Sequence, residues 1–437
     1  MTGPSRQARR DRRLRHILFW CLYDWGNSAF PAVILSFVFA PYFLNNIARD
    51  AVSGEAQWGL AISASGIVIA LLSPVLGAFA DRNGRRRPWL GLSSLIAILA
   101  TAAMALARPE PGSALMVLIL LAVANAAFEL GYVFYNAILA DVAPKDALGR
   151  ISGFGWGAGY LGSLAALGLV LVLFITPDPP LFGLDRAGME HLRATPLFTA
   201  AWFLLFAAPL VLGGPRERPS GAPAPVIIRE GLADLWATLR SFRHSPSIAW
   251  FLAAHMFFID GVNTLFVFGP LIAVGLFGFT EHEILLFGVT IYLAAGLGAF
   301  ALGWLDDLFG AKRVLIGSIA AIVVLSVILS LVEGKALFWG LAGVLSVFFG
   351  PVQSASRSLM LRLSPEDQRT KLLGIYALAG RATAPLGPAA VSWMILQTGE
   401  QRAGILVVAG FLLTGALMLL PVREGDAPGR EARTPGG

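Results

Sequence analysis

Five ionisable side chains, Asp24, Glu129, Asp260, Arg357 and Arg381, are set within long apolar runs of the sequence, where charge is expensive. An ionised side chain at the centre of a bilayer costs about 2.5–3.5 kcal/mol even on lenient insertion scales, so such residues face a cavity or another helix rather than lipid. Two of the acids open the same pattern. Asp24, Asn27 and Ser28 are matched by Asp260, Asn263 and Thr264: an aspartate, an asparagine three residues on and a hydroxyl four residues on. These offsets place all three on one helical face. Asn125, Glu129, Tyr132 and Asn136 form a polar stripe through another apolar run, and Gln353 stands one helical turn before Arg357. The chemistry open to this set is binding of a small polar solute, with exchange of a proton by a desolvated carboxyl coupled to its movement. The competing structural reading pairs each acid permanently with an arginine as a fastener between helices.

The elements that position these residues follow from composition. Hydrophobic residues make up 56% of the 437 residues, charged residues 14%, and mean hydropathy is +0.71, more apolar surface than one water-soluble core could hide. Windows of roughly 20 apolar residues, enough to cross about 30 Å of hydrocarbon, recur along the chain. They predict an all-α membrane protein of twelve transmembrane helices: 17–46, 57–80, 89–107, 114–140, 151–175 and 196–213, then 248–276, 283–304, 314–332, 336–361, 372–397 and 403–421. The expected organisation is a basic N-terminus (1–16), a six-helix bundle (17–213), a linker (214–247), a second six-helix bundle (248–421) and a disordered tail (422–437). The linker begins Pro/Gly-rich and continues with Ile228, Leu232, Leu235, Leu239 and Phe242 at helical spacing, which predicts a helix lying in the membrane interface.

Alternating loops divide the cations unequally. With the N-terminus inside, 25 of the 33 Lys and Arg fall on the cytoplasmic side and 6 outside, which places both termini in the cytoplasm. The +6 net charge is thereby explained by topology, and a nucleic-acid partner is not expected. The first apolar run is too long for a cleaved signal peptide and contains Asp24. A single cysteine, Cys21, excludes a disulfide framework and a Cys-based metal site. Gly157-Ala-Gly159-Tyr-Leu-Gly162 fits a dinucleotide fingerprint by spacing alone; with no preceding strand it reads as small residues for close helix packing. His255 reads as a packed polar residue. No Walker loop, metal site, cofactor site or arranged nucleophile is evident, so neither ATP-driven transport nor catalysis is expected.

The two halves repeat one another beyond the aspartate pattern. Gly77, Asp81, Gly84, Arg86 and Arg87 after the second helix are matched in spacing by Gly303, Asp307, Gly310, Lys312 and Arg313 after the eighth. Pro144, Asp146, Arg150 and Gly153 likewise match Pro365, Asp367, Lys371 and Gly374. The first loop resembles the signature loop of the major facilitator superfamily. That resemblance implies two pseudo-symmetric six-helix bundles working by alternating access, with Gly77, Asp81, Gly84, Arg85 and Arg86 in gating and Asp307, Gly310, Lys312 and Arg313 as the second copy, in which Ala311 replaces one cation.

A finer resemblance lies in Tyr23-Asp24-Trp25-Gly26-Asn27-Ser28, with Tyr135-Asn136-Ala137, Gly153-Phe154-Gly155-Trp156, Gln353 to Ser358, Gly374-Ile375-Tyr376 and Gly380-Arg381-Ala382-Thr383. Together they are similar to the vacuole-effluxer branch, relatives of the fungal autophagy-related amino-acid exporter; Gly26 stands for the usual alanine and Arg381 for the commoner lysine. The resemblance implies efflux of amino acids or similar solutes; a monomer in the cell inner membrane, with a proton favoured over sodium as coupling ion, is expected as well. Cation-coupled sugar symport is the nearest alternative, and lipid flipping or a non-transporting receptor is another, since Arg357 and Arg381 could hold a phosphate. The transport path is expected between helices one and seven. The orientation is checked by terminal fusions: a fluorescent protein at either end will be bright, and periplasmic alkaline phosphatase there inactive.

Overall fold

The computed structural model describes residues 6–217, 240 and 245–424, and these are mostly helical, with turns and short loops between the helices and no strand among them. The expected interfacial helix and most of the tail lie outside the described residues. Eleven helices among the described residues are long and apolar enough to span a membrane. We number them α1 (Arg10–Ile47), α2 (Ala56–Asn83), α3 (Arg87–Leu106), α4 (Pro111–Val142), α5 (Lys145–Ile175), α6 (Glu190–Gly213), α7 (Pro246–Phe277), α8 (Leu286–Phe309), α9 (Ala311–Leu331), α10 (Lys335–Leu363) and, last, α12 (Gln401–Leu419).

The expected span 372–397 is not one continuous helix. It is broken into α11a (Arg369–Ala382) and α11b (Leu386–Thr398), neither long enough alone to cross hydrocarbon. Pro385 is the cause: it has no N–H to donate, its ring crowds the carbonyl four residues back, and it disfavours the helical conformation at Ala384. Thr383, inside the break, turns its hydroxyl to the Met256 carbonyl of α7, 2.8 Å away. With these two pieces in the eleventh position, the twelve-helix architecture holds.

Other proline-rich helices relax rather than break. Pro31 and Pro41 remove donors from α1, and the ladder shifts to bonds five residues long over Phe30–Phe37 and Phe43–Ile47, as in Val38 N–H to Val33 at 3.2 Å and Ala48 N–H to Phe43 at 2.8 Å. Large apolar side chains such as Leu60, Leu212 and Leu396, the last 83% accessible, stand on the outer helix faces, as a lipid solvent allows.

Contacts between Cα atoms divide the chain into two compact units. One gathers the described residues of Met1–Leu72, Gly84–Val142 and Ala158–Pro219; the other gathers Ser73–Asn83, Ala143–Gly157 and the described residues of Ser220–Gly437. In the first, small residues of α5 let helices close: a Cβ on Gly162 would meet the Trp25 backbone, with the Cα at 2.8 Å. In the second, a side chain on Gly157 would overlap the ring of Phe300.

One loop carries a readable titration. Thr280 caps the N-terminus leading into α8, accepting from Glu283 N–H at 3.3 Å while Glu283 accepts from Thr280 N–H at 2.8 Å. Lys335 adds its ammonium at 2.6 Å, and this cation, with the Thr280 backbone bond next, holds the Glu283 carboxyl at about 2, below its ordinary 4.5. A depressed acid stabilises the fold above its unfolded value and loses that contribution as pH falls toward the folded value. Thermal midpoints of wild type and Glu283→Gln in detergent will therefore differ by a constant amount above about pH 5 and converge as acid is added below 4.5. A pH-independent difference would refute the ion-pair account.

Candidate functional site

In the first unit the site is built on α1 and α4. Asp24 is 1% accessible, and its carboxylate accepts from the phenol of Tyr135 at 3.0 Å and that of Tyr132 at 3.5 Å. Tyr135 is fixed in turn. It stacks on Trp20 with ring centroids 4.5 Å apart, and Trp20 Nε1 donates to its carbonyl at 3.0 Å. Tyr23 also stacks on it, ring centroids 5.0 Å apart, and exchanges a hydrogen bond with Ser94 Oγ at 2.9 Å. Asn27 is buried beside the acid, with Nδ2 lacking an acceptor, and Ser28 Oγ donates to Asn27 Oδ1 at 3.3 Å. Gly159 of α5 leaves room for this face: a Cβ there would come within 2.7 Å of Ser28 Oγ and 3.4 Å of Asp24. The α4 stripe contributes Asn125, which donates to Ser65 Oγ at 2.6 Å, a half-buried Glu129 and a buried Asn136.

The second copy, on α7, has different partners. Asp260 is wholly buried, and its Oδ2 accepts from Gly387 N–H at 2.9 Å, at the start of α11b. Thr264 is buried with it, while Asn263 is exposed. The expected single face is thus split. At about 100° per residue, positions three and four on fall to opposite sides of the first, and only the Thr264 side turns toward α11b. His255 lies five residues before Asp260, stacked on Tyr376 at 3.9 Å and beside Ser356 at 3.5 Å; Ser356 also bonds Tyr376 at 2.9 Å.

Arg357 is not a residue snorkelling to the surface, as its place near the end of α10 allows. Only 2% accessible, it donates from Nε to Ser152 Oγ at 2.9 Å and from its terminal nitrogen to the Ser152 carbonyl at 2.7 Å, with its guanidinium over Trp156. Gly149 and Gly153, in the first turns of α5, face α8 instead, where a Cβ would meet Asp306 and the Ala299 carbonyl. Gln353 is buried one turn earlier, and Arg381 is half-buried in the last turn of α11a.

The two repeated loops form two equivalent caps. Asp81 accepts from Thr370 N–H at 3.1 Å, Lys371 N–H at 2.8 Å and the Thr370 hydroxyl. Asp307 accepts from Gly149 N–H at 2.8 Å and Arg150 N–H at 3.1 Å, the matching positions in the other repeat. Each carboxylate satisfies orphan donors near the start of a helix and complements its dipole. The glycines repeat as well: a Cβ on Gly77 would meet the Thr370 carbonyl and Lys371 Cα, and one on Gly303 would meet Gly153 and Arg150 Cα at 3.2 and 3.3 Å. Gly84 and Gly310 turn the chain at φ of 66° and 90°, where a side chain is strained. Arg86 pairs with Asp141 at 2.9 Å; Arg85 and Arg313 are exposed.

The family described as vacuole effluxer Atg22 like matches residues 144–427, and the family described as MFS/sugar transport protein matches residues 2–149. The chain belongs to the Atg22-like branch of the major facilitator superfamily. An uncharacterised MFS-type transporter of Bacillus subtilis is 27% identical over 408 residues, covering 93% of this chain and 94% of that one. Autophagy-related protein 22 of Cryptococcus neoformans is 24% identical over 62% of this chain, which spans 52% of the fungal protein's length. Among solved structures, the transporter FucP in the outward conformation superposes with a TM-score of 0.74 at 14% identity, covering 93% of this chain and 97% of FucP. The human organic anion transporter MFSD10 gives 0.69 at 17% identity, covering 93% and 98%.

Several residues of this Atg22-like transporter escaped the sequence reading. Glu217, after α6, accepts from Arg86 and Arg87 N–H at 2.7 and 2.6 Å, and Glu424, after α12, accepts from Lys312 N–H at 2.7 Å. Arg87 then donates to the carbonyls ending α6 and Lys312 to those ending α12. An Arg-Glu dipeptide after each half, Arg216-Glu217 and Arg423-Glu424, was the available signal. Asp306 is a second miss: it takes the Ser358 hydroxyl and Arg362 at 3.0 Å. The caps generate a local prediction. Asp81→Ala leaves two backbone amides and the Thr370 hydroxyl without their carboxylate, costing about 1–2 kcal/mol, and will speed amide exchange at Thr370–Lys371 but not at Gly149–Arg150; Asp307→Ala will do the reverse. Equal acceleration at both places would refute separate caps.

Proposed function

We propose that this transporter is a secondary active carrier that exports a small organic solute of the amino-acid class by alternating access, coupled to proton movement through Asp24. The observation that carries the reading is the Asp24 site: a buried carboxylate held by the hydroxyls of Tyr132 and Tyr135, on a helix whose bonding loosens six residues beyond it. Phenols can donate to the anion and stay bonded to the acid, so a proton can come and go without rebuilding the pocket. Asn27, with a buried amide donor lacking an acceptor, suits the carboxylate of an amino acid. The Asp81 and Asp307 caps are hydrogen bonds between chain segments that can open and reform, as a carrier's gate requires. The cation-rich loops support placing both termini in the cytoplasm of a cell bounded by this membrane.

A second reading, cation-coupled sugar symport, is favoured by the match of residues 2–149 to the MFS/sugar transport family and by likeness to a fucose:proton symporter, with a TM-score of 0.70 at 13% identity. Proteoliposomes decide between them. With a pH gradient and radiolabelled amino acids, Asp24→Asn will lower gradient-driven flux by about tenfold or more, equivalent to ~1.4 kcal/mol, while exchange without a gradient persists. Flux indifferent to the gradient in wild type, or sugars carried in place of amino acids, would overturn the proposal.

A further inference from the structure

We propose that Asp260 and Thr264, at the break in α11, form a binding site for a desolvated sodium ion. The site is separate from Asp24 and goes beyond the reading above. Its first basis is an unbalanced carboxylate. Asp260 Oδ2 takes the Gly387 N–H, but Oδ1, fully buried, has no donor. A carboxylate oxygen shut away from water without a donor or a cation is among the costliest groups a fold can hold.

The second basis is independent of the first. Several buried or part-buried hydroxyls on other helices return their hydrogen to the carbonyl four residues back, as Ser94, Thr101, Thr199 and Ser346 do at 2.7–2.8 Å, while Ser326 is buried without a partner. Thr264 does not. Its Oγ1 is buried without a partner and lies, with Asp260 Oδ1, against Gly387. A Cβ on Gly387 would fall 2.9 Å from Asp260 Oδ1 and nearer still to Thr264 Oγ1, so only glycine lets α11b close over both oxygens.

The chemistry of the donors selects the ligand. Both unpartnered atoms are oxygens, and one carries a full negative charge. Hard oxygen donors suit an alkali or alkaline-earth ion rather than a transition metal, and no group of three His, Cys, Asp or Glu able to hold a metal occurs among the described residues. A single carboxylate favours one positive charge over two. His255, the remaining titratable group nearby, faces Gly380 rather than the two oxygens. The Asp24 copy lacks this arrangement: its carboxylate receives two phenols, and its unpartnered atom, Asn27 Nδ2, is a donor that repels a cation.

Binding can be read without any transported solute, so this test stands apart from that of solute identity. Thermal midpoints of the purified protein in detergent, at fixed pH and ionic strength, will be several degrees higher in about 100 mM sodium chloride than in choline chloride. Asp24→Asn will keep the sodium-specific rise; Asp260→Asn and Gly387→Ala will lose it. Thr264→Val, nearly isosteric, will weaken radiosodium binding by about tenfold, which carries the test even where the other variants fold poorly. No sodium-specific rise in wild type, or wild-type sodium binding in Thr264→Val, would overturn the site.

Discussion

A polar group inside a bilayer has no water to turn to, and that constraint shapes every interaction at the centre of this protein. Each buried acid must find donors within the chain or a ligand that supplies the missing charge. Asp24 finds phenols, Asp306 finds a hydroxyl and an arginine, and Asp260 finds one backbone amide. The amide exists only because Pro385 interrupts a helix and exposes a second N-terminus in mid-span. A helix break that looks like a loss of regular structure thus supplies the one donor that Asp260 receives.

The same requirement explains why the repeat is preserved most closely at the loops. Asp81 and Asp307 meet donors mainly of the backbone, which any residue but proline at positions 370, 371, 149 or 150 would provide. What must be kept is the carboxylate, the glycine that permits approach and the glycine that turns the chain. Partner side chains may drift without breaking the cap. At Asp24 and Asp260 the partners are side chains or a helix break, and there the copies have diverged although Asp, Asn and hydroxyl recur at identical offsets.

This difference sets how much could be read from the sequence. Helix count, loop charge and the repeated loops depend on residue type and spacing along one chain, and those are visible in a string. Asp24 was legible as a buried acid because a long apolar run surrounds it. Its partner Tyr135 lies 111 positions away and carries no charge to draw the eye. Glu217 and Glu424 were hidden for another reason: short charged dipeptides after a helix are common, and only the amides they receive set these two apart. The break in α11 was announced by Pro385, but Pro209 and Pro270 sit inside helices that continue, so proline alone did not decide it.

Asn263 illustrates the limit of periodicity. Offsets of three and four are neighbours on a wheel, yet they lie on opposite flanks of the residue they follow. In α1 both flanks are covered, and Asn27 and Asp24 are buried together. In α7 one flank meets Gly387 and the other stays open, so an identical pattern yields a buried pair and an exposed amide. Where a neighbouring helix can approach is decided by its glycines, and those belong to a different part of the sequence from the pattern they complete. A repeat in sequence therefore sets which polar side chains stand at two sites, while their chemistry is set by whichever small residues stand opposite.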